Sequence, residues 1–383
     1  MHHIEQGTSV PIAGVAPPAE DIADRPVAVV LVNWNNWRDT VECLASLLTL
    51  RHRSYHIYLV DNDSRDESVE HLSRWLLDPT SDSAWRKLPG VVRITDKADR
   101  SSYTCRIVDR PRGVLEAPPS SCRVTIIRSG GNLGYAGGCN VGITAAGLES
   151  FDYFWFVNTD TVMRPDALNA LLRRASDFPR AGIVGSTLLF YDRPTTVQAM
   201  CGARWSAPGV GTTHIGHGYD VADIPADASN IERQLAYVFG ASMLVSSEFI
   251  RRIGPMQEDY FLYFEEFDWA VRGRGAFSLG YAPDSHLFHK SGASSSKVMP
   301  AFTSHYYYRN RLRFARRFFP ERVAATMYTL GLDMLRHLAR GRWTTVRIIA
   351  SVLREALWGT ALTNPTASAP PVDSAGRGSN LGT

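Results

Sequence analysis

The chain has 383 residues, 44% of them hydrophobic and 21% charged, which builds a sizeable core and excludes an intrinsically disordered protein. Its 41 basic and 38 acidic residues leave a net charge of +3, so no general affinity for polyanions and no nucleic-acid partner is expected. Five scattered cysteines (Cys43, Cys105, Cys122, Cys139, Cys201) without a C-x-x-C pair argue against a disulfide framework or zinc knuckle, and for a reducing compartment. The first residues hold no apolar run of secretory-leader length, and no stretch of about eighteen apolar residues occurs, so a cytoplasmic protein without a spanning helix is expected.

Residues 1–25, rich in Pro, Ala and Gly, read as a flexible arm. VAVVLVN (27–33) and HIYLVD (56–61) are continuous apolar, β-branched runs, the pattern of strands buried on both faces. Between and after them, Val41, Leu44, Leu47 and Leu48, then ESVEHLSRWLL (67–77), recur at helical spacing. Strand, helix, strand, helix predicts a parallel sheet with right-handed crossovers. Residues 78–121 break the rhythm with DPTSDS, KLPG and EAPPSSC and read as an insertion of short strands or a flap. RVTIIRS (123–129) resumes it, followed by a glycine-rich loop and a helix of small residues. YFWFVNTD (153–160) is an aromatic strand with a polar end, Pro165 opens a helix, and AGIVGSTLLF (181–190) is a strand. Segments 196–215 and 235–246 predict further strands, and 261–273 alternates aromatic and acidic residues at helical spacing.

The last third changes character. Between Tyr306 and Trp358 there are 11 arginines, no lysines and three acids. With Phe314, Phe318, Val323, Met327, Leu330, Met334 and Leu338 at helical spacing, this region is either a basic amphipathic surface for anionic membrane or a set of ordinary packed helices. The Pro-, Ser- and Gly-rich tail 363–383 reads as disordered.

Polar residues gather where the strands end: Asn33 and Asn35, Asp61 and Asp63, Asn158 and Asp160. In open α/β sheets ligands bind beyond those ends, although Asp63 and Ser64 are equally suited to cap the helix at Glu67. SGGNLGYAGGCNVG (129–142) brings backbone N–H groups toward a phosphate at a helix start, yet fits neither the Walker nor the dinucleotide fingerprint. Asn158 and Asp160 offer oxygen ligands for Mg²⁺ or Mn²⁺, or form a plain turn. Glu265, Glu266 and Asp268 stand among aromatics, where a carboxyl has a raised pKa and serves as a general base. Asp268 is expected to pair with Arg272, one helical turn on. His289, in a polar loop, is a further ligand candidate.

VNWNN, LVDNDS, GGNLGYAGGCNVG, FWFVNTD, GASMLVS, YFLYFEEFDWAVR and HKSGASS, in that order over roughly residues 26–318, resemble the family 2 glycosyltransferases, and within them the rhamnosyltransferase-like bacterial branch. The resemblance implies a GT-A nucleotide-diphospho-sugar transferase fold, a Rossmann-like mixed α/β sheet over 26–300, with a basic helical extension over 301–362. It implies an inverting, metal-dependent enzyme that moves a sugar, L-rhamnose from dTDP-rhamnose, or a sugar from UDP, to a lipid-linked or cell-surface glycan at the inner face of the plasma membrane. It places Asn33, Asn35, Asp61, Asp63, Asn132, Gly134, Tyr135, Gly137, Asn140 and Asn158 at the nucleotide donor, and Asp160 and His289 at the metal. Asn158 stands where relatives carry the first aspartate of D-x-D. Glu266 takes the place of the base, with Glu265 beside it on the acceptor. Arg309 and Asn310 match a segment to which no role attaches. A sugar nucleotidyltransferase, or a non-catalytic subunit of glycan assembly at the membrane, would present similar strand ends.

Overall fold

A computed structural model describes residues 22–77, 104–117, 122–206, 208–290 and 301–357. Most of the predicted arm, most of the 78–121 segment and the tail 363–383 lie outside the described residues. The first half alternates strands and helices: β1 (Val27–Asn33), α1 (Trp37–Leu47), β2 (Tyr55–Asp61), α2 (Ser68–Leu77), β3 (Thr104–Asp109), β4 (Cys122–Arg128), α3 (Gly134–Ala146) and β5 (Tyr153–Asn158). A short β6 (Thr161–Met163) and α4 (Ala167–Asp177) lead to β7 (Ala181–Phe190), β8 (Val197–Met200), β9 (Gly202–Ser206), β10 (Gly211–His214), α5 (Ser229–Gln234) and β11 (Tyr237–Val238). Then come β12 (Ser242–Ser246), α6 (Ser247–Ile253), α7 (Glu265–Gly273), β13 (Ser278–His289) and three helices, α8 (Ala301–Phe318), α9 (Val323–Ala339) and α10 (Trp343–Leu357).

The main sheet runs β3-β4-β2-β1-β5-β12-β7-β13-β6, with β8 paired to β7, and β9 to β11 form a small separate sheet. From β3 to β5 the strands are parallel, and β12 enters antiparallel between β5 and β7. The apolar runs divide by alternation, as the two-residue period of a strand requires. Val27, Val29 and Leu31 of β1 face α1, α2 and α4, while Ala28 and Val30 face α3, α6 and α7. This is a mixed α/β architecture with a helical C-terminal region. One expectation shifts. Within the segment read as an insertion, Thr104–Asp109 is no flap: its register with β4 makes it the edge strand of the main sheet, with Cys105 packed against the core.

The C-terminal helices are two things at once. Phe314 and Ala315 of α8 share a core with Tyr260, Phe264 and Phe267. Tyr308 and Leu312 on the same helix pack with Leu330, Ile349 and Val352 of α9 and α10. Among the described residues, no helix is long and apolar enough to cross a membrane.

Candidate active site

The C-terminal ends of β2, β3 and β4 open onto a cleft of about 430 Å³ lined by Asp61, Asp63, Ser64, Asp109 and Arg128, among others. Fully buried Asn33 donates through Nδ2 to Asp61 Oδ1 (2.8 Å) and Ser64 Oγ (3.1 Å), and accepts from Thr40 Oγ1 (2.8 Å). The Ser64 N–H donates to Asp61 Oδ2 at 3.1 Å. Each Asp61 oxygen therefore has a fixed donor and keeps acceptor capacity for a ligand N–H. Asn33 orients Asp61 from behind and does not line the cleft. Asn35, at φ 51°, ties the neighbouring loop: its Oδ1 accepts from the Arg65 N–H (2.7 Å), and its own N–H donates to Ser64 Oγ (2.9 Å). Ser64 thus holds the loop centre instead of capping α2, which starts at Ser68. Asp109 and Arg128, 3.8 Å apart, were not singled out from the sequence. Their signal was a charged residue at each of two strand ends.

Beyond β5, Asp160 meets His289: Oδ1 and Nε2 are 3.2 Å apart. The antiparallel pairing of β13 with β6, His289 opposite Thr161, brings them together. His289 ends β13 and is not in a loop, a correction to the expectation; residues 291–300 after it lie outside the described residues. Its Nδ1 faces Gln198 Oε1 at 2.9 Å. An amide oxygen only accepts, so in the neutral ring Nδ1 carries the proton and the Nε2 lone pair points toward Asp160. A carboxylate oxygen and an imidazole nitrogen at this distance fit a divalent cation whose other positions are filled by phosphate and water. Among the described residues, no cluster of three or more His, Cys, Asp or Glu side chains forms a fuller ligand set. Lys290 braces the pair: its N–H donates to the Asp160 carbonyl (2.9 Å), and its Nζ pairs with Asp39 (2.6 Å) and Glu42 on α1.

The helix expected over 261–273 begins only at Glu265. Before it, Phe261, Tyr263 and Phe264 have φ of 64°, 66° and 76°. Each left-handed aromatic costs on the order of 1 kcal/mol or more, so the surroundings must over-determine the loop. They do. Asn310 Nδ2, fully buried on α8, donates to the carbonyls of Tyr260 (2.8 Å), Leu262 (2.8 Å) and Tyr263 (2.9 Å). Arg309 Nη2 donates to the Asp259 carbonyl (2.9 Å) and to Asn310 Oδ1 (2.9 Å). Phe261 stacks on Tyr306 with ring centroids 4.8 Å apart.

The two glutamates follow this loop directly, as the first residues of α7. Burial pushes the Glu266 carboxyl up to about 7, although the N–H groups of Glu266 and Gly240 pull it down. Burial and the adjacent Glu266 charge hold Glu265 well above the ordinary carboxylate range, against the N–H groups of Glu265 and Tyr263. The Oε2 atoms of both are buried without a hydrogen-bond partner. Asp268 behaves differently: it pairs with Arg272 (2.6 Å), as expected, and with Arg317 (3.1 Å). Phe239 and Gly240 join the two parts of the site. The Phe239 ring lies 6.0 Å from His289, and Gly240 abuts Glu266 Oε1.

The glycine-rich segment has a packing task that its composition did not reveal. Gly138 and Gly142 lie inside α3, where a Cβ would stand 2.6 Å and 2.5 Å from Val32 and Val30; Gly137 would meet Leu133 at 2.6 Å. Gly138 and Gly142 let α3 press onto β1. Gly134, at φ 72°, has a further constraint, since a Cβ there would come 2.2 Å from the Phe261 carbonyl oxygen. That carbonyl accepts the Tyr135 N–H at 2.7 Å, and the Tyr135 hydroxyl donates to the Gly240 carbonyl at 2.9 Å. Asn140 donates to Met256 O (2.9 Å) and Glu258 Oε1 (2.8 Å), which commits both amide hydrogens internally. Asn132 Oδ1 accepts the Gly134 N–H (3.1 Å), and Asn62, absent from the expected set, donates to the Gly134 carbonyl (2.8 Å). Asn158 contributes its carbonyl to Thr161 Oγ1 (2.7 Å), closing the turn before Asp160.

With that geometry in place, comparison with known proteins is informative. Residues 109–206 match the description "Glycosyl transferase family 2". Over that segment the chain is similar to the family 2 glycosyltransferases. N-acetylglucosaminyl-diphospho-decaprenol L-rhamnosyltransferases from two strains of Mycobacterium tuberculosis, CDC 1551 / Oshkosh and ATCC 25618 / H37Rv, are 26% identical over 200 residues. The match covers 49% of this chain and 64% of theirs, so the chain spans less than two thirds of those relatives' length. Among solved structures, the mannosyltransferase PcManGT from Pyrobaculum calidifontis in complex with GDP-Man and Mn²⁺ aligns over 91% of this chain and 92% of its own, at 13% identity and a TM-score of 0.49. S. aureus TarS 1-349 aligns over 88% and 92%, at 10% identity and a TM-score of 0.42.

Proposed function

We propose that this protein is an inverting glycosyltransferase that moves a hexose, L-rhamnose from a dTDP-linked donor, onto a hydroxyl of a lipid-linked glycan. The carrying observation is the placement of Glu266: an unpartnered Oε2, on a carboxyl of raised pKa, across Phe239–Gly240 from the Asp160–His289 pair. The sugar and the acceptor class are supported by the names of the Mycobacterium tuberculosis relatives. A nucleoside base meets Asp61, whose free lone pairs accept a ring N–H, while Arg128 supplies positive charge in the same cleft. Asp160 and His289 would hold Mg²⁺ or Mn²⁺, which would offset the negative charge of the donor diphosphate. Glu266 Oε2 takes the proton of the acceptor hydroxyl as that oxygen attacks the anomeric carbon. The bond from that carbon to the diphosphate breaks on the opposite face, so the configuration inverts in one displacement. Glu265, kept protonated, donates or braces beside the acceptor without competing for its proton.

The test is a transfer assay with dTDP-rhamnose, UDP-sugars and GDP-sugars, each with Mn²⁺ or Mg²⁺ and a short-chain polyprenyl-diphospho-GlcNAc acceptor. Mass spectrometry should find the acceptor one deoxyhexose heavier and an equal amount of dTDP released. Release of pyrophosphate from a nucleoside triphosphate would make the protein a nucleotidyltransferase instead. No transfer from any donor would leave the non-catalytic alternative standing.

A further inference from the structure

Nine large apolar side chains are exposed among the described residues, and five of them lie on α9, α10 or the start of the latter: Tyr328, Leu335, Leu338, Trp343 and Leu357. Their exposure, from 41% to 70%, is that of side chains surrounded mostly by solvent. On α9 they fall in one stripe. Ala324, Tyr328, Gly331, Leu335 and Leu338 recur at i, i+4, i+7, i+11 and i+14, the spacing of a single helical face. The opposite side of α9 is already satisfied, since Thr326 and Leu330 are buried and Leu330 packs with Ile349 and Val352 of α10. The helix therefore carries two apolar faces, and among the described residues only one has a partner. On α10 the exposed stripe is Trp343, Arg347, Ala350, Arg354 and Leu357, at the same spacing.

The charge around these stripes identifies what covers them. Asp333, the one acid of α9, points its carboxylate at Arg311 (3.2 Å) and Arg336 (2.9 Å). Arg340, Arg342, Arg347 and Arg354 form no ion pair with another described residue. An apolar stripe alone would fit another protein as well as a lipid. A second copy related by a two-fold axis, however, would set this arginine-bearing face against an identical one, and like charges oppose that contact. A surface dense in phosphate, with hydrocarbon beneath it, satisfies both the arginines and the apolar side chains.

We propose that the outer face of α9 and α10 is a docking surface for an anionic bilayer, with Tyr328, Leu335, Leu338 and Trp343 entering the headgroup–acyl boundary and the arginines contacting lipid phosphates. The surface is separate from the strand ends that form the candidate active site, so docking does not depend on the proposed reaction. It would hold the protein where a lipid-linked acceptor lies.

The full chain is spun with vesicles of phosphatidylcholine alone and of phosphatidylcholine containing phosphatidylglycerol, over a series of salt concentrations. Sedimentation with the anionic vesicles only, weakening as salt rises, is the expected result. Arg347→Gln and Arg340→Gln should each weaken vesicle affinity about fivefold, and the double variant Leu335→Glu, Leu338→Glu should abolish it. All four side chains are exposed, so melting temperature should hold, and dTDP-sugar binding by the double variant should equal that of wild type. Equal binding to neutral vesicles, or binding to neither, overturns the proposal. So does a change of molecular mass in solution on Leu335→Glu, Leu338→Glu with lipid binding intact, which would mean a second copy covers the face. Loss of donor binding in wild type would count against the glycosyl-transfer reading alone.

Discussion

Glu265 and Glu266 are adjacent acids whose surroundings separate their protonation. Both are raised by burial, but only Glu265 is raised further by its neighbour's charge, so the pair loses its first proton mainly from Glu266. A base must be ionised to accept a proton, and a carboxyl titrating near 7 is neutral below that pH. The sign follows directly: kcat/KM should fall about tenfold per pH unit below about 7 and level off above it. Glu266→Gln should lose about 10²–10⁴ in kcat and the acidic limb of the profile, with donor affinity nearly unchanged. Glu265→Gln should keep the limb in place, because Glu265 is uncharged while Glu266 titrates and its removal takes no charge away from Glu266. Steady-state kinetics from pH 5 to 9 on the three proteins decides it, and an unshifted limb in Glu266→Gln would assign the titration elsewhere.

At the scale of elements, the loop before α7 is held by α8, about fifty residues later in the chain. Three left-handed aromatics would relax to ordinary backbone if their carbonyls lost the Asn310 amide. The glutamates follow the loop directly, so relaxation would displace them; a misplacement of about 1 Å can cost about 10²-fold in rate. Asn310→Ser should therefore lower kcat by about 10–100-fold with little change in donor KM, and should move the apparent pKa of the glutamate pair. A residue that only supported stability would lower the melting temperature and leave the pH profile in place. The motif containing Arg309 and Asn310 was visible in the sequence, but its task was not. The hydrogen bonds run to backbone carbonyls, which have no sequence signature. The same limit applies to the glycines of α3: their density read as a phosphate loop, whereas Val30 and Val32 on another element determine that they pack.

For the whole molecule, what the sequence made legible was whatever is local or periodic. β1, β2 and β7 follow from continuous apolar runs, α1 and α2 from helical spacing, and Asp61, Asp160 and Glu266 from polar residues at element ends. Gln198 behind His289, Ser64 beside Asp61 and Gly240 against Glu266 were not legible, because each is brought in by tertiary pairing between distant strands or loops. The edge strand β3 was obscured by its short length and weak alternation among charged neighbours. Because the proposed donor site joins β1, β2, β5 and β13, a ligand that bridges them should stabilise the fold globally, by RT ln(1 + [L]/Kd) when only the folded state binds. At a hundredfold excess over Kd that is about 2.7 kcal/mol, about 3 °C in melting temperature for a chain of this size. dTDP with Mn²⁺ should give the full rise and dTDP with EDTA a smaller one, because Asp61 and its cleft still hold the base. Asp160→Ala should reduce the Mn²⁺ sample to the EDTA level without lowering the EDTA rise itself. Asp61→Asn should diminish both, since the amide puts a donor where a ring N–H must be accepted. If Asp160→Ala kept the Mn²⁺-dependent increment, the cation would be held elsewhere, and the Asp160–His289 contact would be a structural ion pair between β13 and the turn after β5.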